Sequence, residues 1–270
     1  MSTRREETSK GTGYPGMTRR PPLAAALLAI AAAVPAGAQG PPPQPGLRWS
    51  LGLGVVSSPK PYRGADADIM PIPFLELSYK RFYFQGIRFG YKLADGDELD
   101  LDVRGRYRFA GYEEDDSEFL AGMAERQGTV DGGLALEWRR GRFGVSTSAF
   151  ADLLGRSNGV EVAVDATWAQ PLAGRKVLLT PGVGIEWQNA GLVDYYYGVR
   201  PDEALPERPA YEGDAMLTMR ATLSLLWRAS PRIAVLALVR ADRLDDDVQD
   251  SPIVDERRAV FGLAGITYRF

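Results

Sequence analysis

The stretch ELDLDVRGRYRF, residues 98–109, alternates charged and apolar side chains with hardly a break. Leu99, Leu101, Val103, Tyr107 and Phe109 share one face, while Glu98, Asp100, Asp102, Arg104, Arg106 and Arg108 share the other. A helix would scatter these charges around its circumference; an extended strand sorts them cleanly. The stretch is therefore a strand with one apolar and one charged face.

The same period of two recurs along the chain. LRWSLGLGV (residues 47–55) puts Leu47, Trp49, Leu51, Leu53 and Val55 on one face. Further strands are expected over 69–80, 82–93, 129–139, 143–153, 160–169, 177–187, 215–227, 233–241 and 259–270. No helix of consequence is expected. Most of these segments have the length of a tilted crossing of a bilayer core rather than of a soluble strand.

All five tryptophans, Trp49, Trp138, Trp168, Trp187 and Trp227, fall in register with the apolar faces. Three end a strand just before a short basic turn, in WRRGRF, WAQPLAGRK and WRASPR. Trp187 precedes a long connection. Aromatics lined up beside turns are the interfacial girdle of a membrane barrel, whereas a soluble sandwich buries them mid-strand. The long segments 110–128, 188–214 and 242–258 alternate with short turns, as outer loops and periplasmic turns do.

The count of eleven strands does not close, because a barrel with both ends in the periplasm needs an even number. Counting back from Phe270 places the long loops outside; counting forward from Leu47 does not. One turn is therefore hidden before Glu98, and we place it at Gln85-Gly86. The expected fold is all-β, a transmembrane antiparallel up-and-down barrel of 12 strands, with 10 as the alternative. The last stretch, FGLAGITYRF, fits closure: Ile266, Tyr268 and Phe270 share a face, and a final strand must pair with the first to leave no edge in lipid. Its ending resembles the signal read by the barrel-assembly machinery of the outer membrane, carried here by Gly265, Tyr268 and Phe270.

Composition narrows the chemistry. The 270 residues are 45% hydrophobic and 25% charged, with no cysteine and no histidine. Disulfides, thiol catalysis and Cys-based zinc sites are excluded, as are a Ser-His-Asp triad and a His-ligated metal. Mean hydropathy is −0.20, which does not argue against a barrel whose two faces average out. MTRRPPLAAALLAIAAAVPAGAQG (17–40) has two arginines, an apolar run and an A-x-A site, the pattern of an export signal cleaved after Ala38. Met17 is then as good a start as Met1. Residues 1–38 are read as extension and signal peptide, 39–46 as a Pro-rich linker and 47–270 as the barrel. Removing 1–38 leaves 27 basic residues against 33 acidic ones, a net charge of −6. Such a chain has no footprint for nucleic acid.

Four short motifs, in this order, resemble the MipA/OmpV family of outer-membrane proteins. They are PYRGAD (61–66), DYYYGV (194–199, with Tyr195, Tyr196, Tyr197 and Gly198), SPIV (251–254, with Ser251 and Pro252) and the terminal TYRF. The resemblance covers nearly all of 47–270. It implies a Gram-negative outer-membrane barrel, and for one member a scaffold between a murein lytic transglycosylase and a penicillin-binding synthase.

If the apolar faces meet lipid, the charges from Glu98 to Arg108 line the lumen. Glu76, Lys80, Arg88, Lys92, Glu137, Asp152, Glu161, Asp165 and Arg220 share that inward parity. They form either a selectivity filter or a cross-strand plug. The acidic segments 112–118 and 242–250 suit divalent cations bridging lipopolysaccharide, or simple solvation. Tyr195–Tyr197 suit glycan stacking or a protein contact at the mouth, or a place in the girdle and in loop packing. No carboxylate pair stands out, so no catalytic residue, cofactor or metal site is assigned. Two roles follow: a scaffold whose partner surface is Arg139, Arg140, Arg142, Arg175, Lys176, Arg228 and Arg232, or a passive channel for small solutes.

Overall fold

The structure is a computed structural model that describes residues 46–58 and 60–270. The leader and all but the last residue of the linker lie outside the described residues. One antiparallel sheet runs in chain order through β1 (Arg48–Ser58), β2 (Asp68–Tyr79), β3 (Phe82–Gln85), β4 (Arg88–Asp95), β5 (Leu99–Arg108), β6 (Thr129–Arg140), β7 (Phe143–Asp152) and β8 (Val160–Trp168). It continues through β9 (Gln170–Leu172), β10 (Val177–Gln188), β11 (Met216–Arg228), β12 (Ile233–Arg243) and β13 (Arg258–Arg269). β13 pairs with β1, Tyr268 opposite Leu51, so the sheet closes on itself.

β8 and β9 pair with the same edge of β10 and are one interrupted strand, which makes a barrel of twelve. The interruption has a local cause. The Lys176 carbonyl accepts the Arg228 amide, so even-numbered residues of β10 face β11 and odd-numbered ones face β8. Pro181 thus faces the break and has no N–H to give. The hidden turn is found where the parity requires it: β3 and β4 are separated by Gly86 and Ile87, with Gly86 at φ 61°. β3 has only four residues, so this hairpin stops partway up the wall.

The outward face carries the apolar residues, among them Leu53 at 68% exposure and Ile69 at 73%. A band of this kind wants lipid rather than water. Inside, the sequence reading needs a correction. β1, β2, β12 and β13 turn apolar side chains inward as well: Val56, Ile72, Phe74, Leu238, Phe261 and Leu263 form one buried cluster. The Phe74 ring lies against Gly54 and Gly265, where an added Cβ would sit 2.3 Å and 2.7 Å from it. Gly265 therefore seats Phe74, whatever else it signals. The lumen thus has one apolar and one charged wall.

The two ends differ. One has tight turns such as Lys80-Arg81 and Gly141-Arg142; the other carries the long loops and a helix, α1 (Ala190–Tyr197). That helix corrects the expectation of none. Asn189 caps it, its side chain accepting the Leu192 amide.

Candidate functional site

The charged wall is built by register. Arg106 stands opposite Asp131 on β6, and Glu161 projects from β8. Arg106 donates to Asp131 through Nε (3.0 Å) and to Glu161 through Nη2 (2.7 Å). Arg108 reaches the same two carboxylates at 2.7 and 2.8 Å. Asp131 and Glu161 are 1% and 2% exposed, so each buried charge is compensated twice over. Toward the turn end, Arg104 donates to Asp102 (2.9 Å) and Glu137 (3.1 Å), and Asp102 also accepts the Tyr83 hydroxyl at 2.5 Å. Asp100 pairs with Arg139 at 2.6 Å. Arg220 pairs with Glu186, and Arg240 with Asp242.

Five of the six predicted lumen charges thus join a lattice of two ion-pair networks, Asp100, Asp102 and Arg104 in one and Arg106 and Arg108 in the other. Glu98 does not: it lies exposed in the turn before β5, where its carbonyl accepts the Arg139 amide. Lys80 likewise sits at a turn rather than inside, over the Tyr79 ring. The lattice divides the lumen. A cavity of about 160 Å³ toward the loops and another of about 150 Å³ toward the turns both touch Arg88, Arg106, Glu161 and Arg220.

The loop end is shut by a cap that the sequence reading did not foresee. Tyr62, Tyr112, Leu120, Met123, Val193, Val199, Leu244 and Ile253, drawn from four loops, form a buried apolar cluster. Three of the motifs meet in it. Tyr62 contacts Tyr112 edge-on (4.7 Å between centroids), Tyr197 packs nearby, and Ser251 Oγ donates to the Tyr197 carbonyl at 2.6 Å. Tyr196 is buried on α1 and Tyr195 accepts the Gln127 amide, so all three tyrosines take the loop-packing role and not the girdle one. Gly198 ends α1 close to Asp194, where a Cβ would lie 2.3 Å from its carbonyl oxygen. Pro252 is half-buried in the turn leading to Ile253.

An ion pair locks these loops together. Arg126 grips Glu203 with two hydrogen bonds of 2.9 and 2.7 Å and donates to the Tyr195 carbonyl. Burial opposes ionisation of Glu203, but hydrogen bonds from Arg126 and from the Arg200 and Ala124 amides outweigh it and hold the carboxyl at about 2. Burial pushes the Tyr112 and Tyr197 phenols up to about 12. Only the arrangement in space reveals the pair, which spans 77 positions. In the acidic segments, Asp116 is held by Lys60 and by the Glu113 amide, and Asp245 accepts the Leu217 amide.

Trp49, Trp138, Trp168 and Trp227 stand outward at the turn end and Trp187 at the loop end. Trp49 stacks on Phe270 at 3.9 Å, beside Tyr268.

A model of the family described as MltA-interacting protein MipA matches residues 51–270. The chain belongs to this family. The MltA-interacting protein of Escherichia coli is 28% identical over 257 residues, covering 94% of this chain and all of that one. Outer membrane protein OmpV of Vibrio cholerae is 28% identical over 203 residues, 68% of this chain and 77% of the relative. Among solved structures, the translocator domain of the autotransporter NalP from Neisseria meningitidis matches 83% of this chain and 88% of its own, with a TM-score of 0.44 and 14% identity. This MipA-family chain is an outer-membrane β-barrel. Its loop end is then the outer end, and its tight turns face the periplasm.

Proposed function

We propose that this barrel is a non-catalytic platform which presents its periplasmic turns to a murein lytic transglycosylase and, through it, a peptidoglycan synthase. The observation that carries the reading is the cap. Four loops with a buried core and a locked ion pair stand between the lumen and the outside, which suits a molecule working by contact better than an open pore. The name of the E. coli relative, MltA-interacting protein, supports the identity of the partner.

Of the cations expected to form the partner surface, Arg140, Arg142, Arg175, Lys176 and Arg232 are exposed, while Arg228 is half-buried. Arg139 leaves the set, because its guanidinium turns to Asp100 and Glu137. The test is a cross-linked pull-down from native envelopes with a tag in an outer loop. Recovery of a lytic transglycosylase, lost when Arg140, Arg175 and Arg232 become Glu, supports the platform. A clean pull-down without murein enzymes, together with steady conductance in planar bilayers, would replace it with the channel.

A further inference from the structure

The short hairpin leaves a gap in the barrel wall. β2 pairs with β1 from Asp68 to Ser78, but β3 reaches only Glu76–Tyr79 on its other edge. The top of the hairpin is level with the end of β5, whose Tyr107 amide bonds the Ile87 carbonyl and whose last residue is Arg108, so above it β2 faces only the end of β5 and the loop that follows. The open edge of β2, Asp68–Phe74, is about 20 Å tall at about 3.3 Å per residue.

The sequence prepares this edge. The Leu75 carbonyl accepts the Gly86 amide, so odd-numbered residues of β2 direct their backbone groups toward the gap. Pro71 and Pro73 are two of those residues. At a paired edge each would cost a ladder bond; here each removes a donor that would be stranded facing lipid. Two prolines also deny a neighbouring strand any register on which to zip the gap closed.

The gap leads inward. Ile87 and Tyr107, at its floor, also line the 160 Å³ cavity beneath the cap, and a cavity of about 260 Å³ among the loops shares Tyr107 and reaches Met70, Phe109 and Arg126. Arg88, the residue after the hairpin turn, stands at this threshold. Every other lumen arginine described above is ion-paired; among the described residues Arg88 has no carboxylate, and its Nη2 finds only Gln85 Oε1 at 3.4 Å. Its Nε is buried without a protein partner, as are those of Arg108, Arg220 and Arg240 in the same cavity, beside the orphaned Asp242 Oδ1 and the Thr218 hydroxyl. A half-buried cation without a carboxylate, next to orphaned donors, wants an anion. The remaining lining mixes apolar Phe261, Met216 and Tyr197 with polar Gln188 and Thr218 and with Glu161 and Glu186, whose charges are already met by Arg106, Arg108 and Arg220.

We infer that the gap between β2 and β5 is a lateral portal, through which a single-chain anionic amphiphile from the outer leaflet sets its head group on Arg88 and leaves its alkyl chain in the opening. This site is separate from the periplasmic platform and stands or falls without it.

The test uses the folded barrel in nanodiscs of uncharged phosphatidylcholine, with carboxyl-¹³C dodecanoate as the probe and acetate as the head-group-only control. A saturable protein-bound resonance is expected, distinct from that of bilayer-dissolved dodecanoate and not displaced by acetate at equal concentration. Arg88→Gln should weaken binding at least tenfold. Because the chain has no cysteine, Met70→Cys with Phe109→Cys can be bridged across the portal by a disulfide-containing bis-maleimide. The bridge should abolish binding, and reductant should restore it, which keeps the test decisive if Arg88→Gln fails to fold. No saturable resonance, equal binding of acetate, or binding indifferent to the bridge would each overturn the inference.

Discussion

The two ends of the barrel are built on opposite principles. At the periplasmic end the connections are turns of a few residues, and their cations point into solvent. At the outer end the connections are long, and they bury tyrosines, valines and an ion pair against one another. Turns of the first kind stabilise little and leave a surface free for others. Loops of the second kind form a small core of their own, as well buried as the interior of a soluble domain. The difference teaches where each kind of sensitivity lies: folding of the loops depends on the cap, and recognition depends on the turns.

The sharpest way to break the contrast is Arg126→Ala. It leaves Glu203 charged and buried, a loss of about 3–5 kcal/mol. The loops should become cleavable by external protease, and conductance in planar bilayers should rise above that of the unaltered barrel. Phe74→Ala should cost about 3–5 kcal/mol through the cavity it leaves, and Gly265→Val should be comparably damaging because its side chain meets the Phe74 ring. Both are read as a lower temperature for the loss of the folded, faster-migrating band in electrophoresis, with the outer loops still protease-resistant.

Acid should act on the cap in a defined window. The Glu203 carboxyl lies lower in the folded loops than the ordinary 4.5 of a free glutamate, so its stabilisation is complete above pH 4.5. It is lost as the pH falls from about 4.5 to about 2. Protease sensitivity of the loops should rise across that interval, and Glu203→Gln should flatten the rise. The smallest effect on folding belongs to the turns. Arg140→Glu, Arg175→Glu and Arg232→Glu should each shift stability by no more than about 0.5 kcal/mol, while together removing the partner in the pull-down.

Much of the wall was legible because one face of most strands is charged. β5 shows it best, with Asp100 to Arg108 all turned inward and only Glu98, beyond the strand end, misplaced. The missing turn at Gln85-Gly86 was legible by parity rather than by pattern, since the residues around it alternate as one strand would. β2, β12 and β13 hid their inner cluster because PIPFL, IAVLALV and AVFGLAG are apolar on both faces, and a period of two cannot then tell lumen from lipid. The cap was the least legible. Its three motifs lie up to 193 positions apart, and the tyrosines read in part as loop packing find their partners on loops far off in the chain. The gap in the wall was written in Pro71 and Pro73, which mark a free edge, but only the pairing shows that β2 has one.

The seam between β1 and β13 bears on how such a molecule comes into being. Leu51 finds Tyr268 across more than two hundred intervening residues, a ring closure that costs on the order of 5 kcal/mol in chain entropy before any bond is made. That price falls due when the first and last strands meet. Until then both margins of the growing sheet carry unmet amides and carbonyls, a standing invitation to aggregation. The stack of Trp49 on Phe270 is the clasp that completes the hoop, so a chain short of its final residue should assemble slowly rather than wrongly.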